Sequence, residues 1–322
     1  MNKTPKLSGV VVPLVTPITT HGQLDFAALD RLIEFQIAGG VDGLLLLGTT
    51  GEGPCVPRPL RRPFIERALA TARQRLRIYV NVSENALADS LADAKEFFAL
   101  GADAIAALPP FYFPPRPAEL TAWFRALLDA SSGPVLLYNI PMTTRVSIPL
   151  EVIGELIGHP RFVGLKDSEN DAQRHAELLR RFGGRSDFSV FCGVGALMAQ
   201  DLKSGMDGIV PSVGNLIPDV CHKLCAAVER GDSSEATQHA ERMNAVAALY
   251  QKGRTLAQSL AAIKGLLHLR GLCSPAVFPP LLPLAPEELE ALRGEAAKLQ
   301  LLARPPGEPK AVRGGAATLQ HA

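Results

Sequence analysis

Lys166 ends the apolar run in "FVGLKDS", a segment with the length and composition of a buried strand. Low-dielectric surroundings disfavour the charged ammonium, and the free amine can then attack a carbonyl to form a Schiff base. That chemistry needs a proton shuttle to dehydrate the carbinolamine and to protonate leaving groups. Tyr138, in "VLLYNIP", offers a hydroxyl at the end of the preceding apolar run. A 2-oxo acid also needs its carboxylate fixed. The turn "GTTGEG" supplies the hydroxyls of Thr49 and Thr50, and backbone N–H groups beginning at Gly48, as donors without another cation.

Each residue also has a plainer role. A Gly-rich turn after a strand is often only a tight connection, and this one is not a P-loop because no lysine follows. A lysine at a strand end can be a solvated charge, and a tyrosine there a half-buried packing residue. Glu52 can simply satisfy nearby backbone N–H groups. The functional reading rests on their occurring together.

Something must bring residues so far apart in sequence onto one rim. Short apolar runs recur at Val10–Val15, Gly43–Leu47, Arg77–Val82, Asp103–Leu108, Pro134–Tyr138, Phe162–Lys166, Phe188–Cys192 and Gly208–Pro211. Segments of helical spacing lie between them, such as Phe26, Leu29, Ile33 and Ile37 on one face. "GVDGL", "GADAI" and "GMDGI" repeat where helix gives way to strand, each with a glycine suited to the helix C′ position. Eight such units predict an α/β fold, a (β/α)8 TIM barrel, over a doubly wound sheet, for which no dinucleotide fingerprint is present. Active sites of such barrels lie at the C-terminal ends of the strands. That rim gathers the glycine turn after strand two, Tyr112 after strand four, Tyr138, Lys166, and Val210 at the end of strand eight. Ile217–Arg230, Ser233–Lys252, Leu256–Leu269 and Glu287–Leu302 read as helices. The expected division is a barrel over 1–230, a C-terminal helical extension over 231–303 and a disordered tail over 304–322.

Composition excludes several classes. The chain has 322 residues, 33 basic against 32 acidic, and a net charge of +1, which gives no footprint for nucleic acid or anionic membrane. No apolar run approaches the roughly 20 residues of a membrane span, and no small-residue cleavage site follows the N-terminal apolar run. Five cysteines, an odd number without CxxC spacing, fit a reducing cytoplasm. Cys221, His222 and Cys225 suggest a metal set, but on a helix His222 points away from the two thiols, so no metal is expected.

In this order and at these intervals, "GTTGEG", "PPFYFPP", "LLYNIP" and "GLKDS" resemble the dihydrodipicolinate synthase/N-acetylneuraminate lyase family, from about Leu7 to about Leu302. The resemblance implies a barrel with a C-terminal helical extension, assembled as a homotetramer (a dimer of dimers). It implies a Schiff base between Lys166 and pyruvate, with no other cofactor. Tyr138 matches the catalytic tyrosine, and Thr49 and Thr50 match the turn that binds the pyruvate carboxylate and joins the proton relay. Tyr112 matches the relay tyrosine that reaches into a neighbouring subunit's site.

Two departures bear on the substrate. The synthases carry an arginine five residues after the catalytic tyrosine, where this chain has Thr143, with Arg145 two residues on. The sialic acid lyases carry an acidic pair where this chain has Val194 and Gly195. The expected activity is therefore cleavage or dehydration of a 2-oxo-3-deoxy sugar acid or related 4-hydroxy-2-oxo acid. Hydroxyls of Ser83, Thr143 and Thr144 are candidates to read the chain, and on an extended segment Arg145 would point the same way as Thr143. The alternatives are a synthase condensing pyruvate with aspartate semialdehyde, and a non-catalytic barrel that binds a 2-oxo acid.

Overall fold

A computed structural model describes residues 6–82 and 84–302 of the chain. The expected tail over 304–322 and the side chain of Ser83 lie outside the described residues. Eight parallel strands close in chain order, β8 pairing with β1. They are β1 (Gly9–Pro13), β2 (Gly43–Leu46), β3 (Arg77–Val82), β4 (Ala104–Ala107), β5 (Val135–Asn139), β6 (Phe162–Asp167), β7 (Ser189–Cys192) and β8 (Gly208–Ile209). Around them run α1 (Phe26–Ala38), α2 (Arg58–Ala72), α3 (Leu87–Leu100), α4 (Pro117–Ala130), α5 (Pro141–Thr144) and α6 (Leu150–Leu156). The series continues with α7 (Ala172–Phe182), α8 (Met198–Lys203) and α9 (Pro218–Glu229). Beyond these lie α10 (Ser233–Gln251), α11 (Leu256–Leu269) and α12 (Pro286–Lys298).

The repeated glycine–aspartate signature has a physical basis. Gly40, Gly101 and Gly205 all adopt positive φ, at 76°, 108° and 104°, which ends a helix at low steric cost only for glycine. Two residues later, Asp42, Asp103 and Asp207 each accept a hydrogen bond from a backbone N–H of the neighbouring strand: Val10 at 2.8 Å, Ile78 at 2.7 Å and Val190 at 2.8 Å. Each aspartate thus ties the start of its own strand to the strand beside it.

The eighth strand is shorter than the apolar run predicts. Pro211 has no N–H to donate to a ladder, and the chain turns into a short 3-10 segment at Ser212–Asn215. Asn215 finishes the seam with its side chain, accepting from Val15 N at 3.1 Å and donating to Pro13 O at 2.9 Å.

Strand alternation sorts the core into two shells. Leu44, Leu46, Ile105, Val135, Leu137 and Leu165 pack with the surrounding helices. Val11, Leu45, Tyr79, Ala106, Leu136, Phe191 and Val210 fill the barrel interior. The same alternation points Tyr138 and Lys166 inward, while Asn139 and Asp167 face the helices.

Candidate active site

Tyr138 and Lys166 are register partners on adjacent strands. Both are buried, and Lys166 Nζ lies 3.7 Å from the centroid of the Tyr138 ring. Among the described residues no carboxylate pairs with Lys166. The Tyr138 hydroxyl shares a 3.2 Å hydrogen bond with Thr49 Oγ1, which joins the glycine turn to the lysine through one phenol. A nucleophilic amine, a hydroxyl that can carry a proton, and a threonine that fixes that hydroxyl therefore meet at one point.

The turn is shaped by close backbone approach. A Cβ at Gly53 would stand 1.7 Å from Leu47 O, and one at Gly51 would stand 2.7 Å from Leu14 O, so no side chain fits at either position. Gly53 N donates to Gly48 O and Thr16 Oγ1 to Gly51 O, at 3.0 and 2.6 Å. Glu52, held in the left-handed region at φ 57°, turns away from the barrel axis toward the C-terminal extension. Its Oε1 stands 2.5 Å from Lys264 Nζ of α11, and its Oε2 accepts from Phe278 N at 2.7 Å. Lys264 also donates to Ala276 O at 2.8 Å. Glu52 does satisfy a backbone N–H, but one far along the chain, and it carries a buried counter-charge as well.

Above Lys166 opens a cavity of about 370 Å3. Thr49, Thr50, Tyr138, Lys166 and Val210 line it, joined by Ser168, Asn170, Ser212, Gln251 and Ser259. Gly48 is not in the wall; its carbonyl closes the turn. Thr143 and Arg145 do not line the cavity either. The segment after Tyr138 is the single helical turn α5, not an extended strand, so the two side chains do not point the same way. Thr143 and Thr144 both donate their hydroxyls to Ile140 O, at 3.2 and 3.1 Å, and Arg145 is exposed at φ 59°. Tyr112 is 77% exposed and stacks edge-on against Phe113, 5.0 Å between ring centroids, away from the cavity of its own chain.

Behind the lysine lies a buried polar network that the hydrophobic pattern did not reveal. Asp167 accepts from Asn139 Nδ2 at 3.0 Å, from Arg174 Nε at 2.8 Å and from Glu169 N at 2.9 Å. His175 Nδ1 is 2.7 Å from Asp201 Oδ2, while its Nε2 stands 3.6 Å from Asp167, beyond hydrogen-bond reach. Burial alone would lower the His175 pKa, but the two aspartates outweigh it and raise it to about 9. Burial pushes the Asp167 carboxyl up, yet the His175 imidazole, the Arg174 charge and its hydrogen bonds leave it below the usual carboxylate range. A signal was available in the sequence: Asn139 and Asp167 each put a polar side chain on a strand face that is otherwise apolar.

His175, Cys192 and Asp201 lie close enough to surround a cation. Their chemistry suits a hydrogen-bonded cluster better, because the imidazole is already committed to the carboxylate and burial pushes the Cys192 thiol up, disfavouring a thiolate ligand. Cys221 and Cys225 are buried, with His222 exposed on the opposite side of α9.

The model of the dihydrodipicolinate synthetase family matches residues 6–299. The chain belongs to that family. Its members are lyases and synthases of the class I aldolase type, and this chain is an enzyme of that type. A 4-hydroxy-tetrahydrodipicolinate synthase from Xanthomonas campestris is 30% identical over 280 residues, 87% of this chain and 90% of the relative. Among solved structures, the dihydrodipicolinate synthase of Bacteroides thetaiotaomicron superposes with a TM-score of 0.87 at 31% identity, covering 92% of this chain and 99% of that one. A prophage protein of the dihydrodipicolinic acid synthase family from E. coli, solved in complex with pyruvate, gives 0.86 at 26% identity over 91% and 99%. No helix among the described residues is long and apolar enough to cross a membrane.

Proposed function

We propose that this family member is a lyase that cleaves or dehydrates a 2-oxo-3-deoxy sugar acid, or a related 4-hydroxy-2-oxo acid, through a Schiff base on Lys166. The Lys166 amine adds to the C2 carbonyl, and the Tyr138 hydroxyl protonates the carbinolamine oxygen, which leaves as water. The resulting iminium accepts the electron pair of the C3–C4 bond as the Tyr138 phenolate takes the proton of the C4 hydroxyl. An aldehyde departs, the enamine is protonated at C3, and water returns pyruvate and the free lysine. Thr49 and Thr50 hold the carboxylate, and Thr49 also steers the Tyr138 proton. Dehydration would begin from the same iminium by loss of a C3 proton.

The observation that carries the substrate reading is the cavity wall beyond Tyr138. Beside Tyr138 it presents hydroxyl and amide groups suited to a hydroxylated chain, Thr143 and Arg145 bring no guanidinium there, and the one guanidinium in the described wall, that of Arg254, comes instead from the loop between α10 and α11. A carboxylate held where the synthases use the arginine five residues after the tyrosine, as that of aspartate semialdehyde is, lacks such a partner here, at a typical cost of about 2–5 kcal/mol. Aspartate semialdehyde should therefore be condensed at a kcat/KM roughly 30- to several thousand-fold below that for cleavage of the best 2-oxo-3-deoxy acid. A panel of such acids, assayed for pyruvate release and for loss of water beside the semialdehyde condensation, tests this. A faster semialdehyde reaction, abolished by Arg145→Ala, would establish the second reading, a 4-hydroxy-tetrahydrodipicolinate synthase. The names of relatives about 30% identical favour that second reading. A cytoplasmic homotetramer belongs to the same proposal: exposed Tyr112 and Phe113 suit a subunit contact, from which Tyr112 would enter a neighbour's relay.

A further inference from the structure

We infer that the substrate carries a second anionic group, a carboxylate or phosphate ester at the end remote from its 2-oxo acid, and that Arg254 binds it. The inference rests on the Schiff-base reading of Lys166 and adds the chemical class of the far end. Buried Lys166 and half-buried Arg254 both line the cavity, Arg254 from the loop between α10 and α11. Among the described residues, Lys166 and Arg254 are the only charged side chains in its wall, and no carboxylate lines it. A cavity with cations and no acid favours a ligand of opposite sign. The carboxylate beside Lys166 already has the hydroxyls and amides of the glycine turn, so Arg254 is left for a different group.

The arginine itself is half-committed. Its Nη1 donates to Leu249 O at 2.7 Å, one of the last carbonyls of α10, which anchors the guanidinium against the helix end. Among the described residues no carboxylate lies within ion-pairing distance of it, and Nε and Nη2 have no hydrogen-bond partner. Most other arginines among the described residues sit against an aspartate or glutamate. A fixed planar fork with open N–H groups, set in a concave wall, suits two oxygens of a carboxylate or phosphate. The neighbouring Gln251 can add a neutral donor.

The test uses borohydride trapping of 2-oxo acids on Lys166, read by mass spectrometry as the concentration giving half-maximal adduct. Three six-carbon probes differ only at the far end: 2-oxohexanoate, 2-oxoadipate, and 2-oxohexanoate bearing a terminal phosphate ester. At least one anionic probe should trap at a concentration roughly ten- to a hundredfold below that of 2-oxohexanoate, the usual worth of a hydrogen bond to a charged group. Whichever anion is preferred identifies the terminal group. Arg254→Ala should bring the ratio close to one, Arg254→Lys should keep part of it, and pyruvate trapping should be unchanged in both. If the wild-type protein shows no preference for either anion, or the preference survives in Arg254→Ala, the inference is overturned. A lower melting temperature in Arg254→Ala with the ratio intact would likewise overturn it, leaving Arg254 as a helix cap alone. Failure to trap pyruvate on Lys166 at all would instead remove the Schiff-base reading, and this inference with it.

Discussion

The side-chain amide of Asn139 donates to Asp167 at 3.0 Å, one residue beyond Tyr138 and Lys166 respectively. The two inward side chains, Tyr138 and Lys166, are thus matched by two outward groups that hold the same strands together. Asn139 also donates to Glu169 at 3.0 Å and accepts from Ile148 N at 3.0 Å, so the loop after β5 is fastened to the same point. Relative placement of phenol and amine is set from behind, outside the cavity.

Because the two aspartates of that rear network raise the His175 pKa, stability should depend on pH on the alkaline side. Its pKa rises from an ordinary 6.5 to about 9, so its contribution is complete below about 6.5 and is lost as pH climbs through 9. Asp167, Asp201, Cys192 and Arg174 are the ionisable groups around it. Urea midpoints between pH 6 and 9.5 should fall by an amount equivalent to at most about 3 kcal/mol. His175→Gln should be less stable at pH 6 and should lack most of that slope.

Pyruvate with borohydride should give one covalent adduct, on Lys166. Peptide mass spectrometry checks it, and Lys166→Ala should show neither adduct nor turnover. Lys264, engaged with Glu52 and Ala276, should stay unmodified. An adduct there, or on Lys203, would refute the assignment of the nucleophile.

Tyr138→Phe should still permit the pyruvate adduct but lower kcat by roughly 10²–10⁴, the usual worth of a placed acid–base group. Thr49→Val should act in the same direction with a smaller effect, since it removes only the hydroxyl that orients the phenol. A wild-type rate in Tyr138→Phe would return that side chain to a packing role.

Breaking the Glu52–Lys264 pair should be costly. Either Glu52→Gln or Lys264→Met leaves a buried group without its counterpart, at about 3–5 kcal/mol. Thermal melts should drop in both single variants, with weaker pyruvate trapping because the turn bearing Thr49 and Thr50 loosens. The double variant should recover part of the stability, as expected when no lone charge remains.

The barrel was legible because its signals are local. Each βα unit carries its own apolar run, its helical spacing and, in three cases, a glycine–aspartate hinge. The meeting of Lys166 and Tyr138 on one rim was legible too, since they sit at the ends of runs whose direction in a barrel is fixed. What escaped depends on side chains meeting across long intervals of sequence. Nothing in "QKGRTLAQS" announces that Arg254 faces the cavity, and nothing near Glu52 points to Lys264. The helical turn after Tyr138 was missed for a different reason: Pro141 can open a helix or sit in an extended segment, and four residues are too few to show a period.

Phe278, whose amide completes the bonding of Glu52, lies 226 residues downstream of it. During synthesis on a ribosome, the last strand of the barrel, ending at Ile209, emerges well before Lys264 and Phe278. A nascent chain can therefore close its sheet and present both Tyr138 and Lys166 while Glu52 still has neither partner. The turn around Glu52 gains its contacts to the extension only when the final third of the polypeptide arrives. The extension is accordingly a late clamp on an early part of the cavity wall, and a product stopped near residue 230 would carry Lys166 and Tyr138 with the Glu52 turn still unfastened.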